Sequence, residues 1–102
     1  TRKELWSEFV EICIERGIKI YAFIPPMHPR LWSLLNELDC AWIYEETARY
    51  IETTVTEAGG VFRNYTDLES IHGDPELFWD EVHMHPENTE LLLRNLLASE
   101  SP

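Results

Sequence analysis

The apolar positions of this chain follow two different periods. In four segments they recur every three or four residues, the spacing that predicts amphipathic helices. These segments cover residues 3–16, 29–38, 43–58 and 86–98. Two shorter apolar runs, residues 18–24 and 61–65, carry β-branched and aromatic side chains and predict short strands. The pattern therefore combines four helices with two strands.

Glycine and proline mark the borders of these elements. Gly59-Gly60 ends the third helix, and Pro25-Pro26 ends the first strand because proline cannot donate to the ladder of a sheet. Residues 66–73 predict a loop. Asp74-Pro75 is typical of an N-cap followed by a first-turn proline, so we expect a short helical turn through residues 77–79.

The order of the elements predicts the fold class. Strands that alternate with helices favour βαβ units and parallel pairing. About 36 residues separate the two strands, which is enough for a crossover connection. We therefore expect an α/β protein, a partial three-layer α/β/α fold of the flavodoxin-like type, with two parallel strands and about four helices in a single domain over residues 1–102.

Composition narrows the classes of partner. A chain of 102 residues with 44% hydrophobic and 26% charged residues is long enough for one globular domain. Eight Lys and Arg against 19 Asp and Glu give a net charge of −11, which argues against nucleic acid or an anionic membrane surface. No apolar run approaches the ~20 residues of a membrane span.

The N-terminus and the cysteines say little about the compartment. The chain starts at Thr1 without an initiator Met or a signal peptide, so we expect a processed product or a piece of something longer. Cys13 and Cys40 lie among apolar neighbours and predict buried free thiols, with a single disulfide as the alternative. The sequence does not decide between the bacterial envelope and the cytoplasm as the compartment.

Polar chemistry is concentrated near the C-terminus. Six candidate side chains fall within 14 residues, namely His72, Asp74, Asp80, Glu81, His83 and His85. Asp80 and His83 are three residues apart, a spacing that on a helical turn brings both side chains to one face. A carboxylate that touches one imidazole nitrogen fixes the tautomer and leaves the other nitrogen free to take a proton from a nucleophile.

This block resembles the last motif of the SGNH/GDSL hydrolases, a family that includes acyltransferase-like bacterial envelope members. There a D-x-x-H block lies just before the C-terminal helix, as Asp80-Glu81-Val82-His83 does here. Residues 18–24 with their proline turn, and residues 61–65, resemble the last two strands of the family. The resemblance implies that Asp80 orients His83 and that His83 is the general base of a Ser-His-Asp triad.

The chain departs from the family at the nucleophile. It contains no Gly-Asp-Ser block, since Gly73-Asp74 is followed by Pro75, and no G-x-N-D block for an oxyanion hole. Its serines, none at the end of an apolar strand, are Ser7, Ser33, Ser70, Ser99 and Ser101. Loss of the nucleophile costs a serine hydrolase on the order of 10⁶ in rate.

We therefore expect the C-terminal part of an ester hydrolase or acyltransferase that is inactive alone. Its substrate would be an ester or an acylated carbohydrate or lipid, reached only when upstream sequence supplies the serine. The alternative is a non-catalytic α/β assembly module in which the D-x-x-H is vestigial.

Two further expectations concern metals and self-association. Asp80, His83 and His85, with His72, offer ligands of the type that zinc accepts, but their spacing matches no established zinc motif, so we predict no metal and no cofactor. Residues 18–24 are too apolar for a bare sheet edge. We therefore predict a homodimer, formed by strand-edge pairing or by an exchanged helix.

Overall fold

The computed structural model describes residues 1–98. Its helices and strands, in chain order, are α1 (Arg2–Glu15), β1 (Tyr21–Ile24), α2 (Pro29–Glu37), α3 (Ala41–Glu57), β2 (Val61–Asn64), a 3₁₀ helix (Leu68–Ile71) and α4 (Pro86–Ala98). The termini of the first helix follow local chemistry: Thr1 and Glu4 form a reciprocal capping box at its start. After it, Gly17 takes the positive φ of 67° that a non-glycine residue adopts rarely.

The two strands pair in parallel in one sheet. Tyr21 lies opposite Val61 and Ile24 opposite Asn64, with α2 and α3 forming the crossover between the strands. The hydrogen bonds from Val61 N to Ile20 O (2.9 Å) and from Tyr65 N to Ile24 O (2.9 Å) extend the pairing beyond both ends. The carboxyl ends of β1 and β2 therefore meet at the same edge of the sheet.

Helices cover both faces of this sheet. Successive side chains of a strand point to opposite faces. Ala22, Ile24 and Phe62 pack with residues of α1 and α3, whereas Tyr21 and Val61 pack with residues of α4 and the 3₁₀ helix. The α/β fold with four helices and two parallel strands, expected from the sequence pattern, is confirmed for residues 1–98.

Two apolar clusters form the core, one on each face. The first consists of Val10, Cys13, Ile20, Ala48, Val55 and Phe62. The second consists of Tyr65, Leu68, Ile71, Leu92 and Leu96. Gly60 lies against the first cluster, where a Cβ atom would be 2.6 Å from Ile20 O and 2.8 Å from Val55 Cγ1. This close approach lets the chain turn from α3 directly into β2.

Three local predictions were wrong. The first strand is shorter than residues 18–24, since it begins at Tyr21. The loop predicted over residues 66–73 contains the 3₁₀ helix, which Asp67 starts by accepting a hydrogen bond from Glu69 N. Residues 77–79 are not helical: Phe78 instead forms an antiparallel bridge with Met84.

The cysteines agree only in part with the prediction. Both are free; Cys13 is buried, as expected, but Cys40 is only partly buried at the start of α3. Within residues 1–98, no helix has the length and apolar character needed to cross a membrane.

Candidate functional site

Residues 77–85, named the site loop below, fold into a tight antiparallel turn just before α4. Trp79 N donates to His83 O at 2.7 Å, and His85 N donates to Leu77 O at 2.8 Å. These two bonds flank the bridge between Phe78 and Met84. The tip of the turn is therefore formed by residues 80–82, which brings the beginning and the end of the D-x-x-H block together.

Asp80 shapes this tip with its own side chain. Its Oδ1 accepts hydrogen bonds from Val82 N at 2.8 Å and from His83 N at 2.9 Å. A short carboxylate that binds the backbone two and three residues ahead stabilises a turn rather than a strand or a helix. The expected helical turn is thus wrong here, and a side-chain-capped turn produces the same juxtaposition of Asp80 and His83.

The carboxylate of Asp80 also binds the imidazole of His83. Nδ1 of His83 lies 2.7 Å from Oδ2 and 2.9 Å from Oδ1 of Asp80. The predicted pairing of these two side chains is therefore confirmed. Both groups face solvent, with 70% of the His83 side chain and 48% of the Asp80 side chain exposed.

The protonation of the pair follows from its hydrogen bonds. The backbone N–H of Val82, followed by the His83 side chain, holds the pKa of Asp80 below its ordinary value, so the carboxylate is ionised at neutral pH. An ionised carboxylate only accepts hydrogen bonds, which makes Nδ1 of His83 the donor. Nε2 of neutral His83 then carries a lone pair, and it has no hydrogen-bond partner within residues 1–98.

The site loop is fastened to the carboxyl edge of the sheet. His28 follows β1 by four residues, and its backbone N–H donates to Glu81 O at 2.8 Å. Its ring also packs edge-on against Phe78, with ring centroids 5.4 Å apart. Ligand sites of open α/β sheets lie at this edge, outside the carboxyl ends of the strands. Asp80 and His83 therefore occupy a position where an active site is common.

Asn88 holds the base of the loop from inside α4. Its side chain is fully buried and accepts from Asp74 N at 2.9 Å, while its Nδ2 donates to Asp74 O at 2.8 Å and to Leu77 O at 3.0 Å. The sequence prediction did not include this residue. The spacing of the sequence could have indicated that Asn88 is buried, because it lies four residues before Leu92 and eight before Leu96 on the buried stripe of α4.

The other candidate side chains near the C-terminus do not join the pair. His72 is exposed at the end of the 3₁₀ helix, with a φ of 55°. The ring of His85 stacks on Trp79, with centroids 3.9 Å apart, and Asp74 accepts a hydrogen bond from Glu76 N. In the described part of the chain, no three His, Cys, Asp or Glu side chains come together as a metal would require.

No serine of the described residues donates to His83. The hydroxyl of Ser70 binds Asp67 O at 2.6 Å, that of Ser7 pairs with Tyr50, and Ser33 lies exposed on α2. Ser99 and Ser101 lie outside the described residues. Within residues 1–98 the site thus offers a carboxylate and a base, with no hydroxyl hydrogen-bonded to that base.

Comparison with family models, with curated proteins and with solved structures gave no match to this chain.

Proposed function

We propose that this chain carries the acid–base half of an ester hydrolase or acyltransferase of the SGNH/GDSL type, with Asp80 as the orienting carboxylate and His83 as the general base. The observation that carries the proposal is the hydrogen bond from His83 Nδ1 to the Asp80 carboxylate, which leaves Nε2 exposed at the carboxyl edge of a parallel sheet. This is the arrangement by which a base removes the proton of an attacking hydroxyl.

The nucleophile comes from sequence outside this chain. A serine must lie within about 3 Å of Nε2 to lose its proton to His83. Ser7 and Ser70 form hydrogen bonds elsewhere, and Ser33 lies exposed on α2 without a bond to His83. The substrate class that follows is an ester, including acylated carbohydrates and lipids. The proposal calls for no cofactor or metal, because a hydroxyl activated by a base is the nucleophile of acyl transfer; the oxyanion hole, like the serine, is expected from upstream sequence.

The complete reading frame around this chain supplies the test. We expect it to encode, upstream, an apolar strand that ends in Gly-Asp-Ser. Its product should hydrolyse p-nitrophenyl acetate and label with a fluorophosphonate at that serine. The His83→Ala substitution should lower the rate by about 10³ or more. His72→Ala, a histidine away from the pair, is the matched control and should leave the rate unchanged.

Two results would contradict the proposal. One is serine-dependent hydrolysis by residues 1–102 alone, since the chain would then contain its own nucleophile. The other is a frame that begins directly before Thr1 and whose product has no esterase activity, which favours the non-catalytic assembly module. One observation favours this alternative. Asp80 accepts two backbone hydrogen bonds, which give its carboxylate a structural role that is independent of catalysis.

We also propose that the isolated chain is a homodimer. The sheet of the described residues has two strands, so β1 has a strand on one side only. Apolar side chains lie along and beside it, with Ile18 54% and Phe23 37% exposed. A second copy that pairs with this edge, or that exchanges a helix, would remove these groups from water.

A further inference from the structure

A cleft of about 670 Å³ lies between α1 and α3, on the face of the sheet opposite α4. Most of its wall is apolar or aromatic and is formed by Trp6, Trp42, Ile43, Tyr50 and Ile51. Small-molecule sites have volumes of about 300–1,000 Å³ and mostly apolar walls with a few polar groups. The cleft has both the size and the lining of such a site.

The wall is partly fixed and partly open. Trp6 Nε1 donates to Thr54 Oγ1 at 2.7 Å, and Tyr50 OH lies 3.4 Å from Ser7 Oγ, so both rings are held between α1 and α3. Earlier on α3 than Tyr50, Trp42 is 53% and Ile43 50% exposed. An apolar ligand would therefore meet two anchored rings and would cover two side chains that now face water.

Basic residues lie at the same cleft. The chain has a net charge of −11, yet two of its eight Lys and Arg, Arg2 and Lys3, line this one surface. Lys3 Nζ lies 4.8 Å from the centre of the Tyr50 ring, which places its charge over the apolar wall. Glu46 is the acidic residue of the lining, so two cations face one carboxylate. This balance favours a ligand with a negative head group.

We propose that the cleft binds an anionic amphiphile, specifically a medium-chain fatty carboxylate. The hydrocarbon chain lies against the Trp6 and Trp42 rings, and the carboxylate faces Arg2 and Lys3. Burial of the methylene groups supplies most of the affinity, and the two cations select the charge of the head group. The proposal does not depend on Asp80 or His83, which lie at the site loop.

Decanoate is the probe for this cleft. Titration into the full chain should shift the indole N–H resonances of Trp6 and Trp42, and those of Trp32 and Trp79 should stay in place. The double substitution R2E/K3E should weaken binding by about tenfold or more. R16E/R94E changes the charge equally on exposed residues outside the cleft and should bind decanoate as the wild type does. Circular dichroism of both variants should give the spectrum of the wild type, which checks that they fold.

Three results would overturn the assignment. They are the absence of any shift at about 1 mM decanoate, a shift of all four indole resonances together, and binding of decyltrimethylammonium as tight as that of decanoate. The last result would show an apolar surface without selection for negative charge. His83→Ala should leave decanoate binding unchanged, so failure here and failure of the acyl-transfer proposal are distinguishable.

Discussion

Asp80 performs two tasks with one carboxylate. Oδ1 caps the turn of the site loop through the N–H groups of Val82 and His83, and both oxygens lie within hydrogen-bond distance of the imidazole of His83. All of these interactions favour the ionised form, so the group that positions the base also stabilises the turn that carries it. The D-x-x-H spacing revealed the pair in the sequence. The capping role could not be predicted, because it depends on a non-helical backbone.

The lowered pKa of Asp80 gives the free energy of unfolding a specific pH dependence. A group whose pKa is lower in the folded state contributes stability above its unfolded value and loses it as the pH falls through the folded value. Asp80→Asn should therefore be less stable than the wild type at neutral pH, and the difference should shrink below pH 3.8, the ordinary value of this carboxyl.

Urea unfolding of both proteins at several pH values measures this effect. Glu52→Gln, which removes one exposed negative charge from α3, controls for the change in net charge. A difference between wild type and Asp80→Asn that stays constant from neutral pH to below pH 3.8 would show that ionisation of Asp80 does not stabilise the fold.

At the scale of the elements, prediction from sequence succeeded where the determinants are local. Gly59-Gly60 predicted the end of α3, which ends at Glu57, and Pro25-Pro26 predicted the end of β1, which ends at Ile24. The parallel pairing followed from the order of strands and helices. The helical turn at residues 77–79 was wrong because its backbone is controlled from a distance. Asn88, 11 residues away, binds Leu77 O, and His85 N binds the same carbonyl.

Asn88 should accordingly be one of the most sensitive positions outside the core. Asn88→Ala leaves the N–H and C=O of Asp74 without their side-chain partner in a part-buried setting, and Leu77 O loses one of two donors. Each buried group without a partner costs about 1–3 kcal/mol, so we expect a loss of at least about 2 kcal/mol.

Asn36→Ala is the matched control for this measurement. Asn36 donates to Trp32 O on the exposed surface of α2, where water replaces the lost bond. Its removal should change the free energy of unfolding by no more than ~0.5 kcal/mol. Equal effects of the two substitutions in urea unfolding would contradict the role of Asn88 as the clamp of the site loop.

The whole molecule combines exposed apolar side chains with a strong negative charge. The α1 side chains Leu5, Phe9 and Ile12, which follow one another at helical spacing, are each about half or more exposed. Phe9 lines a groove beside β1 together with Ile18 and Phe23, so these side chains form an exposed apolar surface on the described part of the chain. Association through this surface would bury apolar area while bringing two chains of net charge −11 together.

These two effects predict a dimer that becomes tighter as salt is added. Screening shortens the range of repulsion from ~10 Å at 0.1 M salt to ~3 Å at 1 M, while apolar burial is retained. Light scattering at micromolar concentration should give the mass of a dimer, with a lower dissociation constant at high salt. A monomeric mass under both conditions would contradict the homodimer.

The most direct test of the account is the tautomer of His83. Long-range ¹H–¹⁵N NMR of the full chain, at a pH where His83 is neutral, should show a proton on Nδ1 and a lone pair on Nε2. Asp80→Asn should reduce this tautomer, and Asp67→Asn, which alters a similar cap at the 3₁₀ helix, should not. A neutral His83 with its proton on Nε2 in the wild type would contradict its role as the base held by Asp80.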